Sequence, residues 1–340
     1  MSATPIRPLR ELRRTDESRF GAKSASLGEL IGAGVPVPPG FALSAEAYLA
    51  AVDGVGLEGR SAEECSRAIR ETTVPDALRA ELAERYSELA VETGDPRPAV
   101  AVRSSAIGED SEEATFAGQQ ETFLWVRGAD EVCDAVRDCW ASLYSHEAVS
   151  YRAEMADEHQ TPAMGVTVQL MVDAAVSGVM FTCNPVSGDP SSVAVNASWG
   201  LGLAVVGGEV TPDEYRVSKV TREVLHRSVG PKEVEYVPDP DGSGALKVHV
   251  GADRRDAACL DDERLGELVE VSRRVERHFG GHQDIEWAIA RGQGAETFGD
   301  LFMLQSRPVT ATPSKPEAAS PASAMERIWS TFGATGTPSK

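Results

Sequence analysis

Three groups of residues have the types and spacing for chemistry on a polyanion. Residues 101–122 read AVRSSAIGEDSEEATFAGQQET. A short apolar run delivers Arg103 at its end, and the small hydroxyls of Ser104 and Ser105 follow. A guanidinium in that setting suits phosphate, which it grips through parallel hydrogen bonds. The alternative is an ion pair within the segment, to Glu109, Asp110, Glu112 or Glu113. Gly118 lets backbone approach a ligand, and Thr122 adds a hydroxyl after it. The second group is built on Lys23, which stands beside Gly21 and Ser24 where a helical pattern begins. A helix N-terminus favours anions; taken alone, Lys23 also reads as a solvated surface lysine.

The third group is a pair of strands. QDIEWAIA at 283–290 alternates, with Ile285, Trp287 and Ile289 facing one way and Asp284 and Glu286 the other. In LFMLQSRP at 301–308, Gln305 and Arg307 are expected to share a face with Met303. The loop between them contains glycine and makes a hairpin, so the two polar faces can coincide. Glu286 and Gln305 offer hard oxygens suited to Mg²⁺, and Arg307 can reach phosphates of the same ligand. The competing explanation is a solvent-facing salt bridge. The histidines offer less: His146 is isolated, and Gly280 and Gly281 break any helix between His278 and His282.

The elements that must carry these residues follow from local patterns. Leu27, Leu30 and Ile31 fall at helical spacing, and Gly32 or Gly34 ends that helix. Pro36, Pro38 and Pro39 then force an extended chain. Residues 44–91 are mostly helical, with Leu78, Leu82 and Leu89 on one side. Residues 130–155 read as one long helix with Val132, Val136, Trp140 and Leu143 on its face. Residues 164–184 give two strands, and 192–198 gives another that runs into Trp199, Gly200, Leu201 and Gly202. That strand-to-glycine transition could cover a nucleotide, although most such glycine pairs are plain turns. Residues 218–249 are β-rich, and 261–279 form an amphipathic helix. Beyond 312 the chain is rich in Pro, Ala and Ser, a linker composition. The end, with Ile328, Trp329 and Phe332, reads as a docking element or a frayed tail.

Composition narrows the function classes. A chain of 340 residues, 41% hydrophobic and 25% charged, is an ordinary globular protein of about two domains. A net charge of −20 argues against sequence-independent nucleic-acid binding and against docking on anionic lipid. It leaves room for a nucleotide, because local cations and Mg²⁺ can reverse the field in a cleft. No apolar run approaches 18 residues, so no membrane helix is expected. The Arg-rich N-terminus has no apolar stretch of the kind a secretory signal needs. The five cysteines show no CxxC spacing, which fits a reducing cytoplasm.

Taken together, several stretches resemble the N-terminal ATP-grasp domain of the pyruvate phosphate dikinase, phosphoenolpyruvate synthase and rifampin phosphotransferase family. They are FGAKSASLGEL, VPVPPGFALSAEAY, AVRSSAIGEDSEEATFAGQQETFL, SGVMFTCNP, ASWGLGLAVVGGEVTPDEYRVSK, QDIEWAI and FMLQSRPVT. They occur in family order across most of residues 20–310. The resemblance implies a mixed α+β, two-lobed ATP-grasp fold with ATP between the lobes. The expected division is an N-terminal lobe at 1–170, a C-terminal lobe at 171–311, and a linker and tail at 312–340. By the same resemblance Lys23, Arg103 and Arg307 are the catalytic, phosphate-contacting cations. Gly118 and Thr122 belong to a phosphate-binding turn, Gln169 edges the adenine pocket, and Glu286 and Gln305 are the Mg²⁺ ligands. Such cations fit a reaction that must stabilise charge on transferred phosphoryl oxygens.

In that family the β-phosphoryl of ATP passes to a histidine in a Gly-rich loop of a separate swivelling domain, releasing AMP and phosphate. None of the six histidines here has that setting. The expectation is therefore a partner protein that carries the phosphohistidine and the acceptor site. Two departures stand out: Leu203 where the family usually has Glu, and a longer loop around 292–300. The leading function is the ATP-binding component of a dikinase-type phosphotransferase acting on pyruvate or another small acceptor. A catalytically weakened nucleotide-binding regulatory subunit is the alternative. An ATP-grasp ligase forming an acyl phosphate with ADP release is a third, against which the motif order argues.

Overall fold

The computed structural model describes residues 4–107, 121–146, 148–150, 162–240, 242, 244–292 and 298–309. The chain forms two compact units. The first comprises Met1–Glu29, Pro38–Met171 and Asp239–Gly244, and the second Leu30–Val37, Val172–Pro238 and the chain from Ala245 on. The expected linker and tail at 312–340 lie outside the described residues.

The first unit is built on an antiparallel sheet of β1 (Ile6–Pro8), β2 (Gly40–Leu43), β3 (Ala99–Ala106), β4 (Thr122–Arg127) and β5 (Met164–Leu170). Their order across the sheet is β1-β2-β5-β3-β4. Alternation along the strands sorts the two faces. Val100, Val102, Val166 and Val168 point into a core shared with Phe41, Leu43 and the helices Ala45–Val52, Ala62–Glu71, Asp76–Thr93 and Ala129–Ala141. Each large side chain buried there contributes about 1.5–3 kcal/mol. Arg103, Thr167 and Gln169 take the opposite parity and form a polar face. The helices start and stop where their sequences direct. Ser61 caps Ala62–Glu71 through a capping box with Glu64, and Gly94 ends Asp76–Thr93 in the left-handed conformation.

The long helix expected over 130–155 is interrupted: helical residues resume at 146 and 148–150, while 147 and 151–155 lie outside the described residues, and the first helix is short. It spans Ala129–Ala141 and passes into a 3-10 turn at Ser142–Tyr144. The Ser142 hydroxyl donates to the Cys139 carbonyl at 2.6 Å, the local side-chain bond by which serine competes with a continuing helix.

The second unit contains a six-stranded antiparallel sheet: β6 (Ala174–Phe181), β7 (Ser192–Trp199), β8 (Asp213–Ser218), β9 (Val224–Ser228), β12 (Gln283–Arg291) and β13 (Phe298–Pro308). The order is β13-β12-β6-β7-β8-β9, while β10 (Val234–Pro238) and β11 (Ala245–His249) make a separate hairpin. The helix Asp262–Phe279 packs against β12 and buries Leu265, Leu268, Val269 and Val275. Asp261 caps its start by accepting from the Arg264 N–H, and Gly280 ends it. Ile285, Trp287 and Ile289 are fully buried on one face of β12, which leaves Asp284 and Glu286 on the other.

The face expected for Met303 is corrected by a β-bulge. Gln305 lies opposite Glu286, but the next pair is Met303 opposite Trp287. Leu304 is the extra residue, so Met303 crosses to the apolar face, where it is fully buried.

Candidate functional site

The sequence-expected residues fall into two sets, one in each unit. In the first unit, Lys23 is the second residue of the helix Ala22–Gly32. Its Nζ donates to the Ser104 carbonyl at 3.2 Å. The helix can start there because Gly21, with φ +79°, comes so close to Ser105 that any Cβ would collide with it. The same first turn is fastened by a hydrogen bond of 2.7 Å between the Ser24 and Thr167 hydroxyls, both fully buried. Thr167 lies directly opposite Arg103 in the β3–β5 pair, and Thr122 lies opposite Arg103 on the other side. Arg103 is half-buried and Thr122 exposed. One strand thus presents a guanidinium flanked by two threonines.

Gln169 shares the polar face of β5 with Thr167, two residues along. It is buried, and its Nε2 donates to the Pro38 carbonyl at 3.4 Å. The proline run 36–39 keeps that neighbouring chain extended, as its sequence requires. Gly118 lies outside the described residues, as do the acidic residues 109–113 weighed as partners for Arg103.

In the second unit, β12 and β13 place Glu286 directly opposite Gln305. Glu286 is half-buried and Gln305 is 8% exposed. Two residues along, Asp284 faces Arg307, and the Arg307 Nε donates to Asp284 Oδ2 at 2.9 Å. Burial pushes the Asp284 carboxyl up to about 6; the Arg307 guanidinium opposes that rise and the Glu286 carboxylate adds to it. Asp284 was not among the residues nominated from sequence. Its alternation with Glu286 placed it on the right face, but the register that brings Arg307 onto it is a cross-strand property.

The donor chemistry can be tested against Mg²⁺. Among the described residues, no cluster of three or more His, Cys, Asp and Glu could hold a metal by itself. Mg²⁺ asks for less: one or two protein oxygens, with water and substrate phosphate completing its shell. A Glu286 carboxylate beside a Gln305 carbonyl fits that demand. Asp284 is engaged by Arg307.

The segment after β7 is also organised. The Ser177 hydroxyl donates to the Gly200 carbonyl at 2.6 Å, and the Leu201 N–H donates to the Tyr236 carbonyl at 2.9 Å. Leu203 opens the short helix Leu203–Val206 and is 38% exposed.

Residues 17–328 match the family described as pyruvate phosphate dikinase, AMP/ATP-binding domain. The chain belongs to this family. Its α+β architecture is the ATP-grasp-like one of the pyruvate phosphate dikinase nucleotide domain. Among curated relatives, a probable phosphoenolpyruvate synthase of Methanothermobacter thermautotrophicus is 41% identical over 318 residues, covering 88% of this chain and 45% of that protein. A probable phosphoenolpyruvate synthase of Pyrococcus horikoshii is 38% identical over 360 residues, covering 90% and 43%. The phosphoenolpyruvate synthase of Pyrococcus furiosus is 37% identical over 360 residues, covering 90% and 44%. The chain therefore spans less than half the length of these relatives. Among the described residues no helix is long and apolar enough to cross a membrane. The five cysteines are buried and unpaired.

Proposed function

We propose that this domain binds ATP with Mg²⁺ and prepares its β-phosphoryl group for transfer to a histidine. The observation that carries the reading is Glu286 directly opposite Gln305, on a strand pair that also bears Arg307. Lys23 and Arg103 supply cations from the first unit, and Gln169 edges the adenine site. Mg²⁺ supplies charge neutralisation of the phosphates; Glu286 and Gln305 would hold it. Lys23, Arg103 and Arg307 then orient the triphosphate and offset the charge that develops on the moving phosphoryl oxygens. With water consumed, ATP yields AMP, phosphate and a phosphohistidine.

The six histidines of the chain lack the Gly-rich setting of a carrier. We place the carrier histidine and the acceptor site on a partner protein, with pyruvate or another small molecule as acceptor. The buried thiols suit the reducing cytoplasm as the place of work. Incubated with MgATP and a protein bearing the carrier histidine, the chain should form AMP and an acid-labile phosphoprotein. Sustained ADP release without phosphohistidine would overturn the reading.

One observation favours a second reading, a nucleotide-binding regulatory subunit. Leu203, where the resemblance expects a carboxylate, presents an apolar side chain beside the glycine segment. Under that reading MgATP binds without turnover even when the carrier is present.

A further inference from the structure

The Ser24–Thr167 hydrogen bond has an unusual place in the first unit. Both side chains are fully buried, and the residues they join are 143 apart in sequence. Ala25 and Leu27 on the helix and Val166 and Val168 on the strand are buried beside them. A buried hydroxyl pair is a poor device for stability. Desolvation cancels most of its gain, and two apolar groups of the same shape would do about as well. What the pair supplies is geometry, because an O···O contact of 2.7 Å forms at one setting of helix against strand.

The setting it selects involves both cations. Ser24 follows Lys23 on the first turn of the helix Ala22–Gly32. Thr167 is the cross-strand partner of Arg103, on a strand held between β2 and β3. Gly21 against Ser105 and Gly165 against the Phe20 carbonyl allow the close approach of helix and sheet. Neither glycine contact fixes how the helix is rotated about its axis. A directed hydrogen bond one residue from Lys23 does.

We infer that Ser24 and Thr167 are positioning residues, whose hydrogen bond sets Lys23 relative to Arg103 so that both engage one anionic ligand. The inference rests on the ATP reading above, and its test separates the two. MgATP affinity of the full chain is measured by titration calorimetry, alongside the thermal midpoint. Thr167→Val should weaken binding about fivefold, the loss expected for one misplaced charged contact. Thr167→Ser, which keeps the hydroxyl, should bind within about twofold of the parent. Ser24→Ala should match Thr167→Val, and the double variant should be no weaker than either. In a Lys23→Met background, Thr167→Val should cost nothing further, the signature of residues acting as a unit.

Parent-like affinity in Thr167→Val, with Lys23→Met weakened, overturns the positioning role and leaves the ATP reading standing. The same holds if the Thr167→Val loss persists undiminished in the Lys23→Met background, or if Thr167→Ser fails to restore binding. Unchanged affinity in both Lys23→Met and Arg103→Met overturns this inference, and absence of MgATP binding by the parent chain overturns the ATP reading and this inference with it. Should Thr167→Val not fold, Ser24→Ala removes a single oxygen from the helix side and carries the same comparisons.

Discussion

At the scale of single residues, Glu286 and Asp284 are neighbours on one face with different tasks. Glu286 faces an amide and Asp284 faces a guanidinium. Glu286→Ala should therefore remove the Mg²⁺ dependence of ATP binding, so that titrations with and without the metal coincide. Retained dependence would move the metal to other oxygens. Asp284 makes a prediction about stability. Its folded-state value of about 6 lies above the 3.8 of the free side chain, chiefly because burial disfavours the charge. The native state then keeps a proton that the unfolded chain releases between those values. The contribution of Asp284 to stability is full below pH about 4, declines as pH rises toward about 6, and levels off above; two units amount to about 3 kcal/mol. In denaturant titrations across that range, the parent should lose stability relative to Asp284→Asn as pH rises. A difference that grows in the parent's favour would show that Arg307, not burial, governs the carboxyl. Much of this site was legible beforehand. Alternation alone put Glu286 and Asp284 on one face and Trp287 on the other. The Asp284–Arg307 pair was not legible, because no local pattern encodes which residues of two strands stand opposite.

Elements show the same division between what is local and what is not. The helix Asp262–Phe279 was readable from its apolar spacing and its terminal glycines. The helix Ala129–Ala141 was readable where Val132, Val136 and Trp140 repeat, but its end was not, because the Ser142 hydroxyl bond to the Cys139 carbonyl leaves no mark in the apolar spacing. The Ser24–Thr167 bond was beyond any reading of local spacing. Strand β6 holds a further case. Gly178 lies opposite Trp287, and an added Cβ would meet the indole ring at 2.9 Å and run into the Asn196 carbonyl. Gly178→Ala should destabilise the protein by about 1–3 kcal/mol, the range for overpacked cores. Urea unfolding followed by tryptophan emission would measure it, and an unchanged midpoint would mean that the Asn196 backbone and the indole both yield at little cost.

For the whole molecule, charge is the dominant fact. A net charge of −20 opposes the approach of ATP, while under the proposed reading Lys23, Arg103 and Arg307 would attract it locally. These two influences have different ranges. At about 0.01 M salt the screening length is about 30 Å and the entire surface repels the ligand; at about 0.15 M it is about 8 Å and local cations prevail. The association rate of MgATP should therefore rise with salt over that interval, measured by stopped flow. A falling rate would mean that the local cations dominate at every distance. The same net charge bears on the proposed carrier protein, whose docking face should be basic where it meets this chain. The domain spans less than half the length of these relatives, and under the proposed reading the acceptor chemistry would not be its own.

The bulge at Leu304 carries one more consequence. Strand β13 has one residue more than its partner needs between the Glu286 and Trp287 rungs. Deleting Leu304 would leave Met303 and Gln305 adjacent, and adjacent strand residues point to opposite faces without help. Both would keep the faces they now have. Deleting Ser306 instead would put Gln305 next to Arg307 and send one of them into the core. The strand is thus indifferent to losing one particular residue and intolerant of losing the one two places along, so a scan of single deletions should find its gap at 304.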